Sequence, residues 1–381
     1  MSSLEGHKIV LTASTSWYLY NFRKGTILAL KKRGAQVICI APKDHASERL
    51  VGELEVEYIH WKLDHNSANP FRELWSFLQI FILMLRLRPD IVFNFTAKAN
   101  IYTGIACWMV RVAYANNIAG LGMEISSGSM LARIMRTLYG ISNRGAVRVF
   151  TQNPDDLASL RRNGMLGKTP VTELAGSGVD LDRFTAQEVA PLPLTFVMIA
   201  RLQADKGVRD FVAAAHRVRN RHPQVRFILV GPTEHTNRSA IPQAELSEWK
   251  AEGVVEIPGP VDDVRPCLQA SHALVLPSHG GEGTPRIVLE AAASARLAIV
   301  SDVPGCRDAV IHGHTGLIHA VQDINALAGA MEQVASMQPE KLAEMSRAAR
   351  MLAEERFSET TVIQAYLDCL NSVINVCMEE L

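Results

Sequence analysis

Neither sign of charge is in excess in this chain. Its 381 residues carry 39 lysines and arginines against 39 aspartates and glutamates, so the basic surplus expected of a nucleic-acid binder is missing. Cysteine is scarce, and the six present, at 39, 107, 267, 306, 369 and 377, show no short paired spacing. They read as buried thiols in a reducing compartment, as in Val37-Ile-Cys39-Ile40, and not as a disulfide framework. No histidine or cysteine cluster has the spacing of a zinc site, so no metal is expected. No apolar run is long enough to span a bilayer; the longest, Leu74 to Leu85, is closed by Arg86, Arg88 and Pro89. The first ten residues lack the apolar core of a secretory signal and lead into a strand, which predicts a cytoplasmic protein. Gly120-Leu-Gly122 has no third glycine for a dinucleotide fingerprint, and the chain has no Gly-x-Ser-x-Gly for an esterase. Repeats and low-complexity tracts are also missing.

What is there is a core-forming composition, 48% hydrophobic and 20% charged, suited to two globular domains. Short β-rich runs alternate with helical periodicity: Ile9–Thr12, Val37–Ile40, Val56–Ile59, Ile91–Phe93 and Val147–Phe150. After Pro191-Leu-Pro193 the alternation restarts with Thr195–Ala200, Phe227–Val230, Val254–Ile257, Ala273–Leu276, Ala298–Ser301 and Gly316–Ile318. Such alternation predicts an α/β fold of two Rossmann-like, doubly wound parallel sheets, with domains at 1–185 and 186–360 followed by a helical segment at 361–381. Residues 1–185 hold 22 basic against 15 acidic residues, and the remainder 17 against 24. The basic half suits an anionic membrane surface or a phosphate-bearing acceptor; equally, it complements the acidic half.

The richest stretch is Leu276-Pro-Ser-His-Gly-Gly-Glu282-Gly-Thr-Pro-Arg-Ile-Val-Leu-Glu290. It reads as strand end, loop and helix start, with Pro285 where the first turn tolerates proline. A helix N-terminus aims unpaired N–H groups at whatever lies in front of it, and a diphosphate is the natural occupant. Glu282 and Glu290 would bracket that site and accept hydroxyls, one from a ribose and one from a hexose. The plainer reading makes Glu282 a cap and Glu290 a solvated helix residue. Upstream, however, Phe196 to Ala200 reads as another buried strand, followed by a loop carrying Arg201 and Lys206, cations suited to the same phosphates.

With Gly176-Ser-Gly-Val-Asp-Leu-Asp-Arg-Phe184, Leu229-Val-Gly231 and Val300-Ser-Asp-Val-Pro-Gly305, these residues resemble the retaining nucleotide-sugar glycosyltransferases of GT-B fold, whose signature is a glutamate, seven residues and a second glutamate. The resemblance implies that Arg201 and Lys206 bind the donor diphosphate, with the main chain around Gly283 and Thr284 completing the cradle. It gives Glu290 to the ribose and Glu282 to the transferred sugar, and makes Arg201, Lys206 and Glu282 the catalytic set. It also implies a last helix that crosses back to the N-terminal domain. Asp180-Leu-Asp182 fits a metal-binding Asp-x-Asp, but it lies in a turn-forming segment, so neither metal nor cofactor is expected.

Tyr18-Leu-Tyr-Asn-Phe-Arg23 and Asn94-Phe-Thr-Ala97-Lys98-Ala-Asn100 resemble the subgroup that extends a saccharide on a polyprenyl diphosphate. By that resemblance Arg23, Lys98, Asn100 and Gly122 bind the acceptor; Ala97 stands where the subgroup carries a histidine. The implied reaction moves a hexose or N-acetylhexosamine from a nucleotide diphosphate sugar, uridine-based, to a lipid-linked saccharide at the inner face of the membrane. A nucleotide-sugar 2-epimerase and a non-catalytic nucleotide-sugar-binding protein are the alternatives. Leu74 to Leu85 is apolar almost all round, which favours a helix packed between neighbours; its alternative is contact with lipid headgroups, and Met130 to Tyr139 has the same ambiguity.

Overall fold

The computed structural model describes residues 3–64, 69–121, 129–186, 188, 192–233 and 239–379. The chain divides into two compact units: unit 1 is Met1–Ser177 with Thr360–Leu381, and unit 2 is Gly178–Glu359. Each is built on one parallel sheet with helices between its strands.

Unit 1 contains β1 (Lys8–Thr12), β2 (Gln36–Ala41), β3 (Glu57–His60), β4 (Ile91–Phe95), β5 (Tyr114–Ile118), β6 (Arg148–Thr151) and β7 (Val171–Glu173), in the order β3-β2-β1-β4-β5-β6-β7. Its described helices are α1 (Ser16–Lys32), α2 (Ser47–Leu54), α3 (Pro70–Leu87), α4 (Ala97–Val110), α5 (Met130–Arg144) and α6 (Pro154–Arg162). Their ends follow local chemistry. Thr15 caps α1 by accepting the Tyr18 N–H, and Asn69 caps α3, with Pro70 in its first turn and Arg88 in the left-handed conformation at its end. β4 and β5 are buried along their whole length, as strands covered on both faces must be.

β5 escapes the sequence pattern because Tyr114-Ala-Asn-Asn-Ile118 carries two asparagines at its centre. A side-chain ladder satisfies one of them. Thr12 Oγ1 donates to Asn94 Oδ1 (2.8 Å), and Asn94 Nδ2 to Asn116 Oδ1 (2.9 Å); Asn116 Nδ2 then reaches Ser142 Oγ (2.9 Å) and Asn143 Oδ1 (2.8 Å) on α5. Thr12, Asn94 and Asn116 are also register partners in the sheet, so the ladder crosses three strands. Asn117 faces the other way and donates to the phenol of Tyr366, which packs edge-on against Phe150.

Unit 2 contains β8 (Thr195–Ile199), β9 (Arg226–Val230), β10 (Glu256–Gly259), β11 (Ala273–Leu276), β12 (Leu297–Ser301) and β13 (Gly316–His319), ordered β10-β9-β8-β11-β12-β13. Its helices are α7 (Val208–Arg221), α8 (Gln243–Glu252), α9 (Arg265–Gln269), α10 (Arg286–Ala293), α11 (Ile324–Ala335) and α12 (Pro339–Arg356); α13 (Glu359–Glu379) returns the chain to unit 1. The boundary lies ahead of the prolines that marked it in the sequence, for a local reason. The Val179 N–H donates to Phe357 O (2.8 Å) and Arg350 to Phe184 O (2.7 Å), which ties 178–184 to the end of α12. Asp180 Oδ1 accepts the amides of Asp182 and Arg183 in a turn.

The expectation that Leu74–Leu85 packs between neighbours needs correction. α3 buries Ser76, Ile80 and Met84, while Phe71, Leu74, Trp75, Leu78, Ile82 and Leu85 are exposed. Among the described residues no helix is long and apolar enough to cross a membrane. Cys39, Cys107, Cys306 and Cys369 are free and buried, and burial pushes the Cys39 thiol up to about 12.

Candidate active site

In unit 2 the chain leaves β8 in one direction, to β9, and its other neighbour is β11, so the strand order reverses between β8 and β11. Crevices at such a reversal, beyond the strand C-termini, are where open α/β sheets bind ligands. The loop after β8 carries Arg201 and Lys206, and the loop after β11 carries Glu282 and leads into α10.

The two loops are fastened together. The His279 N–H donates to Asp205 O (2.8 Å), and Ser278 Oγ lies 3.4 Å from the same carbonyl. His279 Nε2 is 2.8 Å from Asp210 Oδ2. Lys206 Nζ lies 2.5 Å from Glu282 Oε1, which also accepts from Ser278 Oγ (3.0 Å). Both partners of the ion pair are largely buried.

Two glycines make this approach possible. Gly207, at φ +74°, follows Lys206 at a point where a Cβ would stand 1.9 Å from Pro277 O. Gly305, at φ +80°, brings the loop after β12 so close to Gly283 that a Cβ would lie 1.4 Å from its carbonyl oxygen. Only glycine permits both the conformation and the contact. The Val-Pro-Gly305 segment therefore acts on the Glu282–Gly283 turn through the backbone.

Glu290 sits in α10, one turn after Arg286, whose Nε is 2.9 Å from Glu290 Oε1. Burial pushes the Glu290 carboxyl above the ordinary range, and the guanidinium of Arg286 pulls it back. Pro285 is the N-cap, with Thr284 and Gly283 buried ahead of it. Arg201 lies two residues beyond β8 with its side chain exposed.

Unit 1 departs further from the sequence-based expectation. Arg23 is fully buried: it donates to Tyr18 OH (2.9 Å) and stacks 4.3 Å from the Phe95 ring centre, with Tyr366 alongside. Asn100 is also interior and donates to Asn117 O (2.8 Å). Both side chains lie in the interior and lock helices to the sheet. Lys98 is 2.8 Å from Glu73 and donates to Asp64 O (2.7 Å), tying α4 to α3. Gly122 lies outside the described residues.

Three residues of interest gave little signal in the sequence. Arg286 lies inside the motif, and its i,i+4 spacing to Glu290 was the available clue. Ser14 and Thr96 follow β1 and β4, where the strand order of unit 1 reverses. Their hydroxyls are 2.7 Å apart, and the Ser14 N–H donates to Thr96 Oγ1 (3.0 Å). Thr96 adopts φ +75°, a strained conformation for a β-branched residue that no sequence pattern announces.

Each unit matches a family model. Residues 8–153 match the glycosyl transferase 4-like model, and residues 193–337 match glycosyl transferases group 1. The chain belongs to the glycosyltransferases. This glycosyltransferase is 27% identical over 377 residues to the Campylobacter jejuni N,N'-diacetylbacillosaminyl-diphospho-undecaprenol α-1,3-N-acetylgalactosaminyltransferase, covering 93% of this chain and 96% of that protein. It is 22% identical over 277 residues to an Escherichia coli UDP-Gal:α-D-GlcNAc-diphosphoundecaprenol α-1,3-galactosyltransferase, covering 69% and 70% of the two chains. Its fold is GT-B. Anabaena HepE, solved in complex with UDP and glucose, superposes with a TM-score of 0.79 at 16% identity, over 96% of this glycosyltransferase and 100% of that chain.

Proposed function

We propose that this glycosyltransferase moves a hexose or N-acetylhexosamine, with retention, from a uridine diphosphate sugar to a hydroxyl of a saccharide carried on a lipid diphosphate, working from the cytoplasm at the inner membrane face. The observation that carries the reading is the Lys206–Glu282 pair at the β8/β11 reversal, beside the start of α10. The acceptors named for the Campylobacter and Escherichia relatives support the lipid-linked saccharide, and the UDP of the second relative's name supports the base.

In this mechanism the bond from the anomeric carbon to the diphosphate oxygen breaks while the acceptor oxygen attacks from the same face. The departing oxygen takes the acceptor proton. Arg201, Lys206 and the main chain at Gly283 and Thr284 stabilise the charge that builds on the diphosphate, often the largest catalytic contribution. Glu290 accepts from the ribose hydroxyls and Glu282 from the transferred sugar. The two cations supply the charge at the leaving group, so transfer continues in EDTA.

The test is to incubate purified protein with UDP-, GDP- and ADP-sugars, with and without a lipid-diphosphate-linked saccharide, and to read nucleotide release and the anomeric configuration of the product. Acceptor-dependent UDP release with retention supports the proposal. Inversion overturns the mechanism, and donor conversion that ignores the acceptor overturns the transfer in favour of an epimerase or hydrolase.

A further inference from the structure

We propose that the outer face of α3, α4 and α5 in unit 1 is a docking surface that seats this protein on an anionic lipid bilayer, with the arginines of α5 among the headgroup phosphates. The inference deepens the reading above, in which the acceptor is membrane-borne.

The first observation is that α3 is apolar on two opposite sides. Ser76, Ile80 and Met84 face the sheet. The six exposed apolar residues, from Phe71 (83% exposed) through Trp75 (57%) to Leu85, recur at i, i+3, i+4, i+7, i+11 and i+14, a single stripe turned away from the core. α4 packs against both α3 and α5, so the three form one layer. It adds Trp108 (56%) and Met109, and α5 adds Met130 (78%), Leu131 and Ile134. An unbroken stripe along α3, with further exposed apolar residues on both neighbouring helices, marks an interaction surface and not ordinary scatter.

The second observation is the sign of the charge. The three helices contain one acidic residue, Glu73, and its carboxylate is taken by Lys98 and by the Tyr102 hydroxyl (2.5 Å). Every exposed charge on them is an arginine: Arg72 and Arg86 on α3, Arg133 and Arg144 on α5, of which Arg72 lies 3.6 Å from Asp64 in the segment ahead of α3. Arg133, Arg136 and Arg144 line a cleft of about 370 Å³ with Thr137, Gly140 and Asn163, and no acidic side chain contributes to it. Aromatic and aliphatic residues bordered by arginine match the interfacial layer of a membrane, and the positive excess, greatest on α5, complements an anionic leaflet. A second copy docked on the same face would set arginines against arginines.

The test is co-sedimentation of the full chain with vesicles of phosphatidylcholine alone or of phosphatidylethanolamine and phosphatidylglycerol in equal parts. The protein is expected to pellet with the anionic vesicles alone, and less at high salt. Trp75→Glu with Leu78→Glu, at two exposed positions, lowers the partition constant at least about tenfold. Arg133→Gln with Arg144→Gln removes the preference for anionic lipid. A wild-type protein that stays in the supernatant, or variants that pellet like the wild type, overturns the proposal. So does a dimer, dissolved by the Trp75/Leu78 variant, in protein that ignores vesicles. Donor binding is measured on the same samples: its loss in the wild type would sink the transferase reading and leave the vesicle result standing.

Discussion

Lys206 and Glu282 meet at 2.5 Å, although 76 positions separate them in the chain. Two adjacent strand ends, a Ser278 hydroxyl and two glycines that tolerate no Cβ bring them together. The ammonium is thus neutralised by the carboxylate. On the proposed reading a donor draws Lys206 toward its diphosphate and offers Glu282 a hydroxyl, so binding exchanges one partner for another without stripping either charge of its neighbour.

Lys206→Ala is expected to lower kcat by about 10²–10³-fold, the cost of losing one preorganised group at a developing charge. Steady-state nucleotide release measures it. If turnover persists and only the melting temperature falls, Lys206 is a strut and not part of the chemistry.

Gly305→Ala should raise the donor KM and lower the melting temperature. The natural control is Gly313→Ala, at φ +75° with nothing within 4 Å of the added carbon. Both variants carry the left-handed penalty of about 1–2 kcal/mol, and only the first also displaces Gly283. Equal donor KM values would show that the Gly283 turn does not set affinity.

Acidification should weaken donor binding at a higher pH than an ordinary glutamate would dictate. Burial raises the Glu290 carboxyl, and on the proposed reading its ionised form accepts the ribose hydroxyls. Arg286 opposes the rise, so Arg286→Gln lifts the carboxyl further and moves the acid limb of donor affinity to higher pH. Titration of donor affinity against pH in both proteins checks the sign; an unmoved limb would sever Arg286 from Glu290.

For Arg23→Ala the expected effect is lost stability of about 2–4 kcal/mol, from a vacated interior and a broken charge-assisted hydrogen bond, with the acceptor KM of the folded fraction unchanged. Denaturant titration alongside acceptor kinetics separates the two. A raised KM at full stability would return Arg23 to the acceptor site.

The alternation of strand and helix was legible because period-two and period-3.6 patterns follow from backbone geometry. The residues at β8 and β11 could be placed at strand ends for the same reason. β5 was not legible: two central asparagines break the apolar pattern that marks a buried strand, and only the ladder from Thr12 to Asn143 and the Tyr366 phenol account for them. Family resemblance assigns Arg23 and Asn100 to the acceptor and carries no information on burial; only the tertiary structure shows a guanidinium against Phe95 and an amide held by Asn117. α3 needed coordinates as well, because its apolar residues occupy two opposite faces and the sequence cannot say which of them is covered.

Val179 donates to Phe357 O and accepts from the Glu359 N–H (2.9 Å), so the incoming and outgoing strands of residues 178–359 are zipped together. An element whose two ends coincide can be inherited as a cassette. Recombination at this one seam would exchange the whole of unit 2 while leaving the sheet of unit 1, and the α13 helix that completes it, with their own partners. A lineage built this way can change what one half recognises without redesigning the other.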